Sequence, residues 1–127
     1  MIAIKFGENL KNMNRSNLNL FKTLLIVQTI GLLTYTFFAY QMEGADLISV
    51  FAQNVFSLNW SGQFNLDFLC YLTLSGIWIM WRNKFSNKSI LLGVAAMILG
   101  ILLFAPYLFW LTNKENGEIK RILIGDR

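Results

Sequence analysis

The sequence predicts an all-α membrane protein with three transmembrane helices and a short interfacial helix in the first, outer loop. Three apolar runs carry most of this expectation: Phe21 to Tyr40, Phe64 to Trp81 and Ser89 to Leu111, with polar segments between them. The composition agrees. Over 127 residues it is 55% hydrophobic and 14% charged, with a mean hydropathy of +0.48, which leaves too little polar surface for a soluble domain of this length. The third observation is that the basic residues sit at the flanks of the runs and are absent from Gln41 to Gln63.

At 1.5 Å of rise per residue, each run reaches roughly 27–35 Å as a helix, enough for a hydrocarbon core about 30 Å thick. The chain therefore reads as one membrane domain, 1–127. A polar basic leader, 1–20, precedes the first span, 21–40. This run is expected to be a retained span and not a cleaved signal peptide. The leader is long, and "YQMEGA" puts Met42 and Glu43 where a cleavage pattern needs small residues. Gln28, Thr29, Thr34 and Thr36 supply its polar atoms. Gln28 reads as an interhelical hydrogen-bonding group, the alternative being that it lines a cavity with Asp67.

In the first loop, "DLISVFAQNVFSL" over 46–58 places Leu47, Phe51, Val55 and Leu58 on one helical face and Asp46, Ser49, Gln53 and Ser57 on another. A helix lying in the interface fits this pattern, and so does a half-helix packed over the mouth of a bundle. Asp46 marks a plausible helix start.

The second span, 64–81, carries Asp67, Tyr71, Leu74, Ser75 and Trp78 on one helix face, beside Cys70. A carboxylate with a tyrosine one turn deeper suits a cation, a proton or a polar ligand head, because ionisable groups are costly inside a span. The competing reading makes Asp67 the helix cap, using the orphan amides of the first turn. Cys70 reads as a small hydrophobe.

The third span, 89–111, has Gly93, Ala96 and Gly100 on a small-residue face that lets another helix approach closely, either internal or from another chain. Pro106 removes a backbone donor and predicts a kink in the outer third. Tyr107 and Trp110 then read as an outer aromatic belt and Trp78 and Trp81 as an inner one. A polar tail, 112–127, follows.

Orientation is read from Lys and Arg in the short flanks. Lys5, Lys11, Arg15 and Lys22 precede the first span, and Arg82, Lys84 and Lys88 lie between the second and third. This predicts the amino terminus inside and the first loop outside, and three spans would put the carboxyl terminus outside. Lys114, Lys120, Arg121 and Arg127 in the tail conflict with that last step.

The absence of histidine and the single cysteine exclude an intramolecular disulfide and remove the usual metal ligands, so no metal or other cofactor is expected. The net charge of +4 is distributed at span flanks and makes no continuous nucleic-acid patch. "NWS" at Asn59 to Ser61 matches a glycosylation acceptor, a match that chance explains in a chain rich in Asn and Ser.

Asn54, "FNLD" (Phe64 to Asp67), "MWRNK" (Met80 to Lys84), Gly100 and "APYLF" (Ala105 to Phe109) together resemble a family of short bacterial integral membrane proteins, common in photosynthetic lineages and of unknown function. In that family an extracytoplasmic Asn precedes an F-x-x-D entry to a helix, a Trp closes that helix, and a Gly and then Pro-Leu lie in the last helix. The resemblance covers roughly Leu47 to Leu111. It implies a bacterial inner-membrane protein in which Asn54 and Asp67 matter, and it implies no activity.

Function is expected to be that of a non-enzymatic subunit or accessory factor in a larger membrane assembly. Its partners would be membrane lipid and either another membrane protein or a second copy, met through the small-residue face. The alternative is a binder or transporter of a lipid or other apolar small molecule, at a site near Asn54, Asp67, Tyr71, Trp78 and Gln28. A membrane enzyme is the third reading.

Overall fold

The computed structural model describes residues 15–126. Most of the basic leader, including Lys5 and Lys11, and the terminal Arg127 lie outside the described residues. Among the described residues there is no β-strand, and the helices are α1 (Arg15–Glu43), α2 (Leu47–Phe56), α3 (Trp60–Arg82), α4 (Asn87–Leu99), α5 (Ile101–Lys114) and α6 (Ile119–Ile124). Two of them, α1 and α3, are long and apolar enough to cross a membrane, and only 6% and 11% of their apolar windows are buried.

Local chemistry sets the helix boundaries. Asn59 caps α3 by accepting from the Gly62 amide at 2.8 Å, and Ser86 caps α4 by accepting from the Ser89 amide at 3.3 Å. α3 ends in a Schellman turn, with Phe85 N donating to Met80 O at 2.8 Å and Lys84 N to Trp81 O at 3.1 Å. The end of α5 repeats the motif, with Gly117 N to Thr112 O at 3.0 Å and Asn116 N to Asn113 O at 3.3 Å. Along α1 the hydroxyls of Thr29, Thr34 and Thr36 bond the carbonyl one turn back, at 2.7, 2.9 and 2.7 Å, so these threonines satisfy themselves within the helix.

α4 packs antiparallel on α3 at backbone contact. A Cβ placed on Gly76 would stand 2.7 Å from the Gly93 carbonyl oxygen, and one on Gly93 would stand 2.7 Å from the Gly76 carbonyl oxygen. The small-residue face of α4 thus meets an internal neighbour, with Gly93 and Ala96 buried and the Met80 and Met97 side chains closing the flanks.

α5 does not continue α4. Gly100 lies against Phe68 and Leu72, Phe104 meets Trp78 edge-on at 5.7 Å, the Tyr107 hydroxyl accepts from Asn83 Nδ2 at 2.9 Å, and Glu115 reaches Arg82. These contacts move from the middle of α3 to its end as α5 advances, so α5 runs parallel to α3 and opposite to α4. The expected single helix over 89–111 is therefore corrected to a helical hairpin that reverses at Gly100. The expected kink at Pro106 moves with it: Pro106 lies inside α5, and the break comes earlier.

The reversal has a local cause. Gly100 adopts φ +64° and ψ −133°, a conformation that side-chain-bearing residues rarely take. Its amide closes α4 on Ala96 O at 2.8 Å, while its carbonyl accepts from Leu103 N at 3.1 Å and Phe104 N at 2.9 Å to start α5. Thirteen residues in α4 and fourteen in α5 give each arm roughly 20 Å of helix, short of a bilayer core.

α1 packs along α5, with Leu18 against Gly117 and the Lys22 ammonium 6.0 Å from the Phe109 ring centroid. Its other half, from Ile30 to Glu43, is exposed at every residue. α2 crosses the start of α3 at Gly62, where any Cβ would collide with the Asn54 carbonyl. The small core, Ile79, Ala96, Tyr107 and Leu111, sits where α3, α4 and α5 meet. The start of α1, the α3–α4 turn and the α5–α6 turn consequently gather at one end of the molecule.

Two glycine substitutions separate contact from propensity. Gly93→Ala is expected to lower stability in a detergent melt by about 1–3 kcal/mol, because the methyl group forces α3 and α4 apart. Gly31→Ala, in α1 with nothing within 4 Å of the added atom, is expected to leave stability unchanged or raise it by up to about 1 kcal/mol. Equal effects at the two positions would contradict the α3–α4 packing.

Candidate functional site

The densest polar constellation lies at the gathered end and is organised by Arg82, the last residue of α3, which is only 5% exposed. Its Nε donates to the Ile122 carbonyl at 2.6 Å, Nη2 to the Arg121 carbonyl at 2.8 Å, and Nη1 to Asn83 Oδ1 at 3.2 Å. Nη2 also lies 3.6 Å from Glu115 Oε1, and Glu115 Oε2 is held 3.0 Å from Arg121 Nε. Trp78 Nε1 adds a bond to the Leu123 carbonyl at 2.9 Å. α6 is thus fastened across the end of α3 by side chains that reach its backbone. Among the described residues no buried side-chain nitrogen or oxygen lacks a hydrogen-bond partner.

Beside this constellation opens a cleft of about 420 Å³, lined chiefly by Arg82, Lys84, Ser86, Lys114, Glu115 and Arg121. Asp126, on its edge, lies 3.6 Å from Arg121 Nη2. A second feature, an apolar groove of about 520 Å³, runs between α3 and α5 and is walled by Phe68, Tyr71, Leu72, Trp78, Ile101 and Phe104. It continues past Trp78 and Phe104 into a hollow of about 360 Å³ against Phe21 and the inner side of α6.

The residues singled out in the sequence do not converge. Tyr71 and Trp78 share the apolar groove. Asn54 sits at the α2–α3 crossing, Gln28 is exposed on α1, and Asp67 is exposed on α3. No hydrogen bond joins Asn54, Asp67 and Tyr71 among the described residues. The capping reading of Asp67 is corrected too: Asn59 fills that position, and Asp67 stands about two turns further along. Asp46 precedes α2 at the cap position without a side-chain cap bond. Tyr107 is not part of an outer belt. It is buried, and its ring meets Trp78 at 6.3 Å.

Sequence reasoning treated Arg82 as an orientation charge and passed over Gly76, Asn83 and Glu115 as partners. The "SG" pair at Ser75 and Gly76 could have signalled a close helix approach. Nothing local marks Glu115 or the carbonyls of α6 as the ligands of Arg82, since the contact depends on the reversal at Gly100. Chemically, the end cluster holds charge and hydrogen-bonding capacity without a nucleophile paired to a base. Among the described residues no group of His, Cys, Asp and Glu could hold a metal ion. Comparison with known proteins finds no matching family model, no matching curated protein and no matching solved structure.

Removing the Arg82 guanidinium takes a donor from the Ile122 and Arg121 carbonyls and from Asn83 Oδ1, and leaves Glu115 with Arg121 alone. Arg82→Met is expected to cost about 2–4 kcal/mol and to raise amide exchange in residues 119–124 well above that in α3. Trp78→Phe, which deletes the bond to Leu123 and part of the ring that meets Phe104 and Tyr107, is expected to cost about 1–3 kcal/mol. Unchanged exchange in α6 for Arg82→Met would contradict the fastening.

Proposed function

We propose that the chain is an integral membrane protein with two spans, α1 and α3, joined on the outer side by α2 lying in the interface. The α4–α5 hairpin enters from the inner side and returns to it. The low burial of both long helices supports the membrane reading, because the core helix of a soluble domain would be largely covered. Charge supports the orientation. Arg15, Lys22, Arg82, Lys84, Lys88, Lys114, Lys120 and Arg121 all belong to the gathered end, and the chain from Thr23 to Trp81 carries no Lys or Arg. In this arrangement the carboxyl tail lies inside. The resemblance to short bacterial membrane proteins favours a bacterial inner membrane as its location in this reading.

Its function in this reading is that of a non-enzymatic subunit or accessory factor that docks against another membrane protein. The observation that carries this is Asp67: an ionisable side chain exposed within a proposed span, flanked by exposed Phe64, Leu66, Phe68 and Leu69, with no ion pair among the described residues. A carboxylate directed at lipid is costly, and a donor from a neighbouring chain removes that cost. The bare outer half of α1 offers further surface to such a neighbour. The groove holding Tyr71 and Trp78 favours a second reading, in which a lipid tail or other apolar molecule is held between α3 and α5.

Impermeant thiol labelling tests the topology in a Cys70→Ser background. Cysteine at Ser57 is expected to label from outside, and cysteines at Ser86 and Lys120 only after the membrane is opened. Outside labelling at Lys120 would restore a third span. For the function, Asp67→Ala is expected to reduce recovery of a stoichiometric membrane partner severalfold with little change in thermal stability. Unchanged recovery would remove the subunit reading's main support.

A further inference from the structure

The geometry points to the charged cleft at the inner end as a binding site for a phosphate group, namely the headgroup of an anionic phospholipid. The inference rests on the membrane orientation proposed above, which puts the cleft at the inner headgroup level.

Arg82, Lys84, Lys114 and Arg121 face Glu115 and Asp126, a surplus of two positive charges. The two acids are already committed: Glu115 lies between Arg82 and Arg121, and Asp126 lies against Arg121. Arg82 in turn spends its donors on α6 and Asn83. The surplus therefore resides on Lys84 and Lys114. Among the described residues no acid pairs with Lys84, and Lys114 rests over the Trp110 ring at 4.8 Å, a contact that leaves its ammonium hydrogens for an anion.

The fold fixes both lysines. Lys84 holds φ +57° in the Schellman turn, and Lys114 ends α5, so backbone geometry sets their placement on the cleft wall. Ser86, the cap of α4, lines the same cleft, which brings the positive end of a thirteen-residue helix to it. Buried Arg82 forms the floor, and a volume of about 420 Å³ is in the range of sites that enclose small ligands. The reversal at Gly100 is what brings Lys114 back to Lys84. An anion bound between them would bridge the α3–α4 turn to the end of α5 and brace the hairpin.

The test uses the purified full-length chain in a neutral detergent, with native mass spectrometry after adding phosphatidylglycerol or phosphatidylcholine. Phosphatidylglycerol is expected to be retained and phosphatidylcholine not. The double variant Lys84→Gln/Lys114→Gln is expected to lose phosphatidylglycerol about tenfold or more, whereas Lys88→Gln/Lys120→Gln, cations at the same end outside the cleft, should lose little. Equal losses in the two double variants would show a diffuse positive field and overturn the site, as would equal retention of both lipids. Inorganic phosphate at millimolar concentration is the second arm. Full displacement of the lipid by it would identify a free anion as the ligand and overturn the headgroup assignment. Because binding is read in detergent, its failure is distinct from failure of the orientation, which the cysteine labelling reports separately.

Discussion

The reversal at Gly100 is the constraint on which the rest of the structure depends. A residue with a side chain would meet a backbone penalty of about 1–3 kcal/mol at such angles, and the relaxed alternative is to run α4 into α5 as one rod. Had that happened, 87–114 would form a helix of roughly 42 Å, and Tyr107, Glu115 and α6 would lie at the opposite end from Asn83 and Arg82. The reversal instead places Phe104 and Tyr107 against Trp78, creates the core around Ile79, and delivers the tail to the buried Arg82. One glycine thereby decides both which residues touch and which end of the molecule carries the tail.

Arg82 and the Gly76–Gly93 contact hold the hairpin in complementary ways. The glycine contact works by van der Waals closeness between backbones, the principal attraction available to helices surrounded by apolar material. It fixes α4 on α3 but does nothing for α5, which is kept at a distance from α3 by Trp78, Phe104 and Tyr107. Arg82 supplies the missing connection at the far end. It binds carbonyls, which are permanent acceptors, and a carboxylate that Arg121 also holds, so the buried charge is matched on several sides. The aromatic spacing between α3 and α5 leaves the groove open in the middle, while Gly100 and Arg82 close it at its two ends.

The two long helices were legible in the sequence because hydropathy and length report them directly. The helix of the first loop was legible because its apolar positions recur at helical spacing from Leu47 to Val55. The third run was not, and the reason is physical. A hydropathy window measures apolarity along the chain and is blind to direction, so an apolar run with a central glycine reads alike as a span and as a hairpin. Two signals were available. Gly100 was read as a contact residue and not as a hinge, although a glycine serves both purposes. The basic tail, with Lys114, Lys120 and Arg121, conflicts with an outside carboxyl terminus, and in the proposed orientation a chain that turns back would remove that conflict. Tyr71 and Trp78 were legible as sharing one face, since helical periodicity fixes relative direction on one helix, and both line the groove. Asn54 and Gln28 could not be placed that way, because their distance from Asp67 depends on how separate helices pack.

What remains is why so small a core suffices and why the exposed polar groups sit where they do. A water-soluble chain with α1 bare from Ile30 to Glu43 would expose a continuous ridge including Tyr35, Phe37, Phe38 and Tyr40, far beyond the isolated apolar side chains a soluble surface tolerates. In a bilayer the same ridge costs nothing, and stability rests on the few contacts that need packing: Gly76 on Gly93, Gly62 under Asn54, and the Arg82 cluster. Polar groups face the opposite requirement. Threonines on α1 hide their hydroxyls in their own helix, which lipid permits, but Asp67 has no such recourse, since a carboxylate cannot be satisfied by a helix whose amides are already bonded. In the proposed membrane setting the surface is apolar almost wherever lipid would touch it, and Asp67 is the place where contact with a donor other than lipid would remove a cost.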